Sequence, residues 1–131
     1  MLIFLRALFI IVIASMVAVT SWASLQCPLF GVPRAVATHP WFIATLFDAY
    51  WGFITFFVWV CYKQNSLLAR LAWFVAIMLL GNIAMAAYCL AEFFSISSRD
   101  ALVGVLTARR EGPGQLGLVL AALGIVVIAL A

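Results

Sequence analysis

Charge is the scarcest property of this sequence: seven Lys/Arg and four Asp/Glu residues are scattered through 131 positions, 8% of the chain. Soluble domains carry roughly 25% charged residues. So few polar side chains cannot cover a globule of this size, which excludes an ordinary water-soluble domain. Histidine occurs once, as His39, and Cys27, Cys61 and Cys89 form an odd set without CxxC spacing. No disulfide framework, metal knuckle or HExxH zinc helix can be read from them. A phosphate-cradling glycine loop and a Ser/His/Asp set are also missing. The net charge of +3 comes from basic residues dispersed between apolar runs, with no basic face, so nucleic acid is excluded as a partner. A non-enzymatic chain without a metal is the expectation.

What the sequence has in abundance is apolar surface. Hydrophobic residues make up 69% of the chain, 15% are aromatic, and the mean hydropathy is +1.28. Lipid is the expected solvent. The fold class expected is an all-α membrane protein of one domain, residues 1–131, with four transmembrane helices and one short interfacial amphipathic helix. The first span runs from about 7 to 25, and its 19 residues at about 1.5 Å each give roughly 29 Å, enough to cross a hydrocarbon core. Arg6, the apolar stretch Ala7–Val19 and Ser21-Trp22-Ala23 also have the layout of a signal peptide, and the segment is read as a retained signal anchor.

Pro28, Gly31, Pro33 and Pro40 mark a compact loop. The second span covers about 41–62, with Trp41, Trp59 and Tyr62 near its ends, where amphipathic rings prefer the headgroup level. Lys63-Gln64-Asn65-Ser66 is a tight turn, and the third span follows over about 67–94. From Asp100 to Glu111, polar or small residues recur at Asp100, Gly104, Thr107 and Glu111, opposite Leu102, Val103 and Leu106. This period predicts an interfacial helix over about 98–111. Ser97 and Asp100 resemble a capping box, Arg109 and Arg110 suit the C-terminal dipole, and Gly112-Pro113 stops the helix. The fourth span covers about 115–131. Four spans put both termini on one side, with Arg6, Lys63 and Arg70 there and Arg34, Arg99, Arg109 and Arg110 opposite; the expectation is a bacterial inner membrane with cytoplasmic termini.

Asp48 is the residue that most invites a role. It lies about seven residues inside the second span, roughly 10 Å along the axis from Trp41, and an intramembrane carboxylate is costly unless it has a partner. Thr45, Trp51, Gly52 and Thr55 share its face. A straight antiparallel hairpin brings Met85, Tyr88 and Cys89 to its depth, with Tyr88 as a hydrogen-bond donor. Thr20 and Ser24 of the first span reach the same side, with Arg34, His39 and Glu92 nearby. Three readings stand side by side: a packing residue that fixes helix register, a ligand or proton-relay site, and a contact with a partner protein. Asn82 beside Gly81 is read as a helix-to-helix hydrogen bonder or as part of a transport path. His39 is a lone surface histidine or the ligand of a metal or a chlorophyll-type magnesium. Small residues recur at four-residue spacing as Ala72 and Ala76, Ala87 and Ala91, and Gly117 and Ala121, with Gly124 following. These are close-packing faces, and Gly117, Ala121 and Gly124 are read as a contact with a partner or with another helix.

The segments Ala44-Thr45-Leu46-Phe47-Asp48-Ala49-Tyr50, Trp59-Val60-Cys61-Tyr62-Lys63-Gln64-Asn65-Ser66, Gly81-Asn82-Ile83 and Ala87-Tyr88 resemble DUF1475, an uncharacterised family of small membrane proteins found in plants and bacteria. The likeness covers about 41–94. Asp48, Tyr50, Trp59, Tyr62 and Lys63 carry it, and Gln64 departs from it where an acidic residue is expected. The resemblance implies the topology and points at Asp48; it implies no activity.

The function expected from these features is that of an accessory or stabilising subunit of a larger membrane complex, photosynthetic or respiratory hosts being the first to search. Other integral membrane subunits and lipids are its expected partners. The alternative is a small oligomeric carrier of ions or protons with Asp48, Tyr88 and Asn82 along its path. No cofactor is expected beyond lipid contacts; a pigment would require His39 or Asp48 to touch it.

Overall fold

Proline and glycine punctuate the apolar runs and so decide where helices begin and end. The computed structural model describes residues 1–96, 102–112 and 114–131, and among these every regular element is helical. Helix α1 is Leu2–Gln26, followed by a 3-10 turn at Leu29–Gly31 and a short α2, Arg34–Ala37. Pro28 and Pro33 precede these two pieces. Helix α3, Pro40–Lys63, has Pro40 in its first turn, where a missing N–H costs nothing. Ser66 caps α4, Leu67–Leu80, its hydroxyl accepting from the Ala69 N–H at 3.5 Å. Then come α5, Asn82–Phe94, α6, Leu102–Thr107, and α7, Gln115–Leu130. Two of these, α1 and α3, are long and apolar enough to cross a membrane.

The third span expected over 67–94 is not one helix. Gly81 sits at φ +52°, ψ −123°, a backbone conformation that side chains bearing a Cβ rarely adopt. The chain reverses there. The Trp73 and Tyr88 rings lie 4.8 Å apart, edge to face, whereas in a continuous helix the intervening residues would separate them by about 22 Å. Helices α4 and α5 therefore form a tight hairpin, about 21 and 20 Å long. The close approach of α3 enforces the glycine a second time, since a Cβ on Gly81 would meet the Phe53 ring at 2.7 Å.

This reversal corrects the expected third span, which is two helices and not one. Helix α1 packs antiparallel on α5, with Phe9 stacked on Phe93 at 5.7 Å. Helix α3 packs on α4 through Phe57 and Phe74, 5.1 Å apart. Helix α7 runs parallel to α4: Cβ atoms built on Gly117 and Gly124 would meet Trp73 and Leu79 at 2.9 Å.

The small-residue face of α7 is a contact within the chain and not one with a partner. Gly117, Ala121 and Gly124 are the buried residues of that helix, Gly117 lying against Trp73 and Gly124 against Leu79 and Leu80 of α4. Ala121 is 8% exposed and belongs to the same core cluster as Trp73, Ala76 and Ile77. Of the two contacts expected of Ala121, with a partner or with another helix, the structure takes the second: the residue packs in the core with Trp73, Ala76 and Ile77 of α4.

Arg6, Lys63, Arg70, Glu92, Arg109 and Arg110 gather at one end of the bundle as a result of the reversal, so Arg109 and Arg110 do not oppose Arg6 and Lys63. The first residue of the chain lies at this charged end and Ala131 at the other, rather than both on one side.

The amphipathic helix expected over 98–111 is also corrected. Its proposed start, Ser97 to Asp100, and Pro113 lie outside the described residues. The described helix stops at Thr107. Beyond it the Arg110 N–H donates to the Lys63 carbonyl at 2.7 Å, and its own carbonyl accepts from Asn65 at 3.1 Å. The α3–α4 turn offers free backbone groups that an extended residue can pair with and a helical one cannot.

Replacing Gly81 by Ala is expected to lower the stability of the detergent-solubilised protein by about 1–3 kcal/mol, the usual cost of forcing a non-glycine residue into such a conformation. Thermal unfolding followed by circular dichroism measures it. An unchanged midpoint would mean that the chain does not reverse at this residue.

Candidate functional site

Three helices, α3, α5 and α6, end at the charged end, each leaving backbone carbonyls without helical partners. Cations and an indole fill those positions. Arg6 of α1 donates to the Phe93 carbonyl at 2.8 and 3.2 Å and to the Ile96 carbonyl at 3.0 Å. Arg70 donates to the Gln64 carbonyl at 2.7 Å. The Trp59 indole N–H donates to the Leu106 carbonyl at 3.0 Å. Lys63, the last residue of α3 and fully buried, donates to the Val105 carbonyl. Positive groups at helix C-termini are favourable because the aligned peptide dipoles end there in partial negative charge.

Glu92 joins these caps into one network. It projects from α5 with 4% of its surface exposed. One carboxylate oxygen, Oε2, accepts from the Lys63 ammonium and from Arg110 Nη2 at 3.3 Å. The other, Oε1, accepts from Arg110 Nε at 3.1 Å. Arg110 also donates to the Ser95 hydroxyl. Beneath this clasp Tyr88 is buried among Phe56, Trp59 and Trp73, edge-on to each, and its hydroxyl accepts from Gln64 Nε2 at 3.2 Å. Among the described residues every buried side-chain nitrogen and oxygen has a hydrogen-bond partner. A cavity of about 380 Å³ opens beside the clasp, lined by Gln64, Trp73, Tyr88, Glu92, Arg110 and Gln115 among others.

The residues singled out in the sequence are not brought together. Asp48 is exposed on the first half of α3, and among the described residues it makes neither a hydrogen bond nor an ion pair. Tyr88 cannot reach it, because the reversal at Gly81 carries Tyr88 back to the Lys63 end. Asn82 is exposed beside Gly81 at the hairpin tip, not in mid-span. The Thr45 and Thr20 hydroxyls turn back onto their own helices, to Trp41 at 2.8 Å and Met16 at 2.7 Å. Thr20 and Ser24 line a second cavity of about 420 Å³ with Leu79, Ile83 and Val127; Arg34, His39 and Asp48 do not border it. His39 is exposed at the start of α3, where its carbonyl accepts from Ile43. Gly117, Ala121 and Gly124 sit under α4, away from any surface a partner could reach. No group of three or more potential metal ligands occurs among the described residues.

Lys63, Glu92 and Arg110 were legible only one at a time, as a turn residue, a pocket rim and a helix-end cation. The signal that unites them is a single acid within an apolar run, which must find a cation. Locating that cation required the reversal at Gly81.

Removing one partner of a buried pair strands the other charge, at a typical cost of about 3–5 kcal/mol, whereas replacing both with apolar groups is often close to neutral. Glu92→Leu and Lys63→Met are therefore each expected to be strongly destabilising, and the double variant much less so. Arg110, whose side chain is 41% exposed, remains hydrated in all three. A thermal or denaturant double-mutant cycle reads the coupling, and additive losses would dismiss the clasp.

Among known proteins, no curated protein and no solved structure matches the chain. Residues 1–111 match a family described as a protein of unknown function, DUF1475. The match is wider than the resemblance over 41–94, taking in α1 to α6 and every residue of the clasp and stopping before α7. With far more than half its length matched, the chain belongs to the DUF1475 family.

Proposed function

We propose that this protein is a non-enzymatic accessory subunit embedded in a membrane, which docks onto a larger integral-membrane assembly through the first half of α3. The observation that carries this reading is the bareness of that half-helix. Trp41, Phe47 and Trp51 are 78%, 65% and 63% exposed, and only Val60 and Lys63, both in the other half, are buried. Lipid can cover the aromatic rings. It covers Asp48 poorly, since a carboxylate at the centre of a membrane helix costs roughly 2.5–3.5 kcal/mol on insertion scales. The buried ionisable groups are meanwhile engaged in the clasp. The carrier reading drew its path through Asp48, Tyr88 and Asn82, and these three occupy separate places in the chain.

In a bilayer, α1 and α3, about 37 and 36 Å long, span a hydrocarbon core of roughly 30 Å. Helices α4 and α5 enter from the charged side and return to it. Their turn is tolerable because Gly81 is buried under Phe53, and irregular backbone at membrane depth has to be covered by protein. Among the described residues five cations, Arg6, Lys63, Arg70, Arg109 and Arg110, mark the charged end, against Arg34 at the other. The positive-inside bias then places the charged end in the cytoplasm, of a bacterial inner membrane or its equivalent, with Ala131 on the far side. Energy-converting complexes are the first hosts to search.

Blue-native electrophoresis of mildly solubilised native membranes, with mass spectrometry, is expected to find the chain in a defined large complex. Migration alone or as a small homo-oligomer would overturn the subunit reading. Topology reporters fused before Met1 and after Ala131 are expected to report opposite sides of the membrane, the former cytoplasmic; the same side for both would reject this placement.

A further inference from the structure

We propose that Asp48 is the docking ligand of this surface: the first half of α3 pairs with a transmembrane helix of a different protein, which presents a lysine, arginine or histidine side chain at the depth of Asp48. The proposal rests on the membrane-subunit reading and names the chemistry of the partner. Asp48 lies eight residues past Pro40, about 12 Å from that end of α3 and about 22 Å from Lys63. With α3 centred on a core of roughly 30 Å, the carboxylate is about 9 Å below the nearer interface. Lysine and arginine reach water from such depths along their stems. Aspartate has a single methylene and cannot.

No cation of the chain is available to it among the described residues. Lys63 and Arg110 hold Glu92, Arg6 and Arg70 are bonded to carbonyls, and Arg109 lies over the Tyr62 ring. All five are at the charged end. Arg34 belongs to α2, in the loop outside the near end of α3. The neighbouring hydroxyls are engaged as well, Thr45 with the Trp41 carbonyl and Thr55 with the Trp51 carbonyl, both at 2.8 Å.

The same face is shaped for a close neighbour. Ala44, Asp48 and Gly52 follow one another at four-residue spacing, and a Cβ built on Gly52 meets nothing within 4 Å. A partner backbone can approach there, as it does at small-residue faces of membrane helices, with a cation held to the carboxylate in a low-dielectric contact. A second copy does not supply that cation. A parallel copy sets its own Asp48 at the same depth, adding like charge, and keeps its basic cluster at the far interface. An antiparallel copy would carry five cations to the wrong side of the membrane.

The test places a photo-crosslinking amino acid at Gly52 of the full-length chain in native membranes and identifies the adduct by peptide mass spectrometry. The expected adduct is an apolar segment of another protein with Lys, Arg or His within one turn of the crosslink. Asp48→Asn, which mimics a protonated aspartate, is expected to lower its yield by about tenfold or more. Asp48→Lys combined with an acidic residue in place of the partner's cation is expected to restore it. An undiminished yield with Asp48→Asn overturns the proposal, as does an adduct only with lipid or with a second copy. The helix content and thermal midpoint of Asp48→Asn in detergent should equal those of the parent, because Asp48 has no polar partner among the described residues. If the parent chain comigrates with a large complex and Asp48→Asn comigrates equally, the docking chemistry fails while the subunit reading stands. If the parent chain never comigrates, both fall.

Discussion

A carboxylate enclosed by apolar helices has to be neutralised where it stands, and the arrangement of this chain follows from how Glu92 is neutralised. Its cations come from the end of α3 and from the segment after α6, so the carboxylate fastens α5 to two parts of the chain remote in sequence. Lys63 has two roles at once, closing the C-terminus of α6 while pairing Glu92. Buried pairs of this kind are weak sources of net stability. Their value lies in register: shifting α5 by one residue would turn Glu92 away from both cations.

The clasp also explains the polarity of the bundle. Helix C-termini of α3, α5 and α6 meet at one end, and the cations collect where those dipoles terminate. The opposite end has Arg34 and Asp48 as its described charged side chains. There the hairpin stops at Gly81, while α1 and α3 continue past it. Helix α1 has no fully buried residue, and the first half of α3 has almost no intramolecular cover. Such surfaces require an apolar solvent or a protein neighbour. That is why a docking surface is proposed on α3 and not at Gly117, Ala121 and Gly124 of α7, already closed against α4.

Helix α7 stands apart in another respect. The family match ends at residue 111, so the clasp and the hairpin belong to the shared part of the chain, and the glycine-lined packing of α7 on Trp73 is added outside it. Gly117 permits that contact by leaving room for the indole. Trp73 thus serves two packings, one against Gly117 of α7 and one, nearly perpendicular, against Tyr88 in the aromatic core.

Composition and local pattern by themselves determined the helical class, the family likeness, where α1 stops and where α3 starts and stops, and the existence of a small-residue face on α7, whereas α1 starts at Leu2 and not near residue 7. Each depends on neighbours close in sequence: runs of apolar residues, a proline that cannot continue a helix, glycine and alanine at four-residue spacing. What that face meets was not legible, since Ala121 against a partner and Ala121 against α4 leave the same local pattern. The hairpin was not legible either, because Gly81 lies within an apolar run whose hydropathy is the same whether the helix continues or reverses. Only contact with Phe53, and the return of Tyr88 to Trp73, settle the direction. The pairing of Asp48 with Tyr88 failed for that reason, since it assumed a straight third helix. Lys63, Glu92 and Arg110 are far apart in sequence, and a buried charge depends on which residues the fold brings within about 4 Å, a distance at which charges in a low-dielectric interior interact strongly. That choice belonged to the tertiary structure alone.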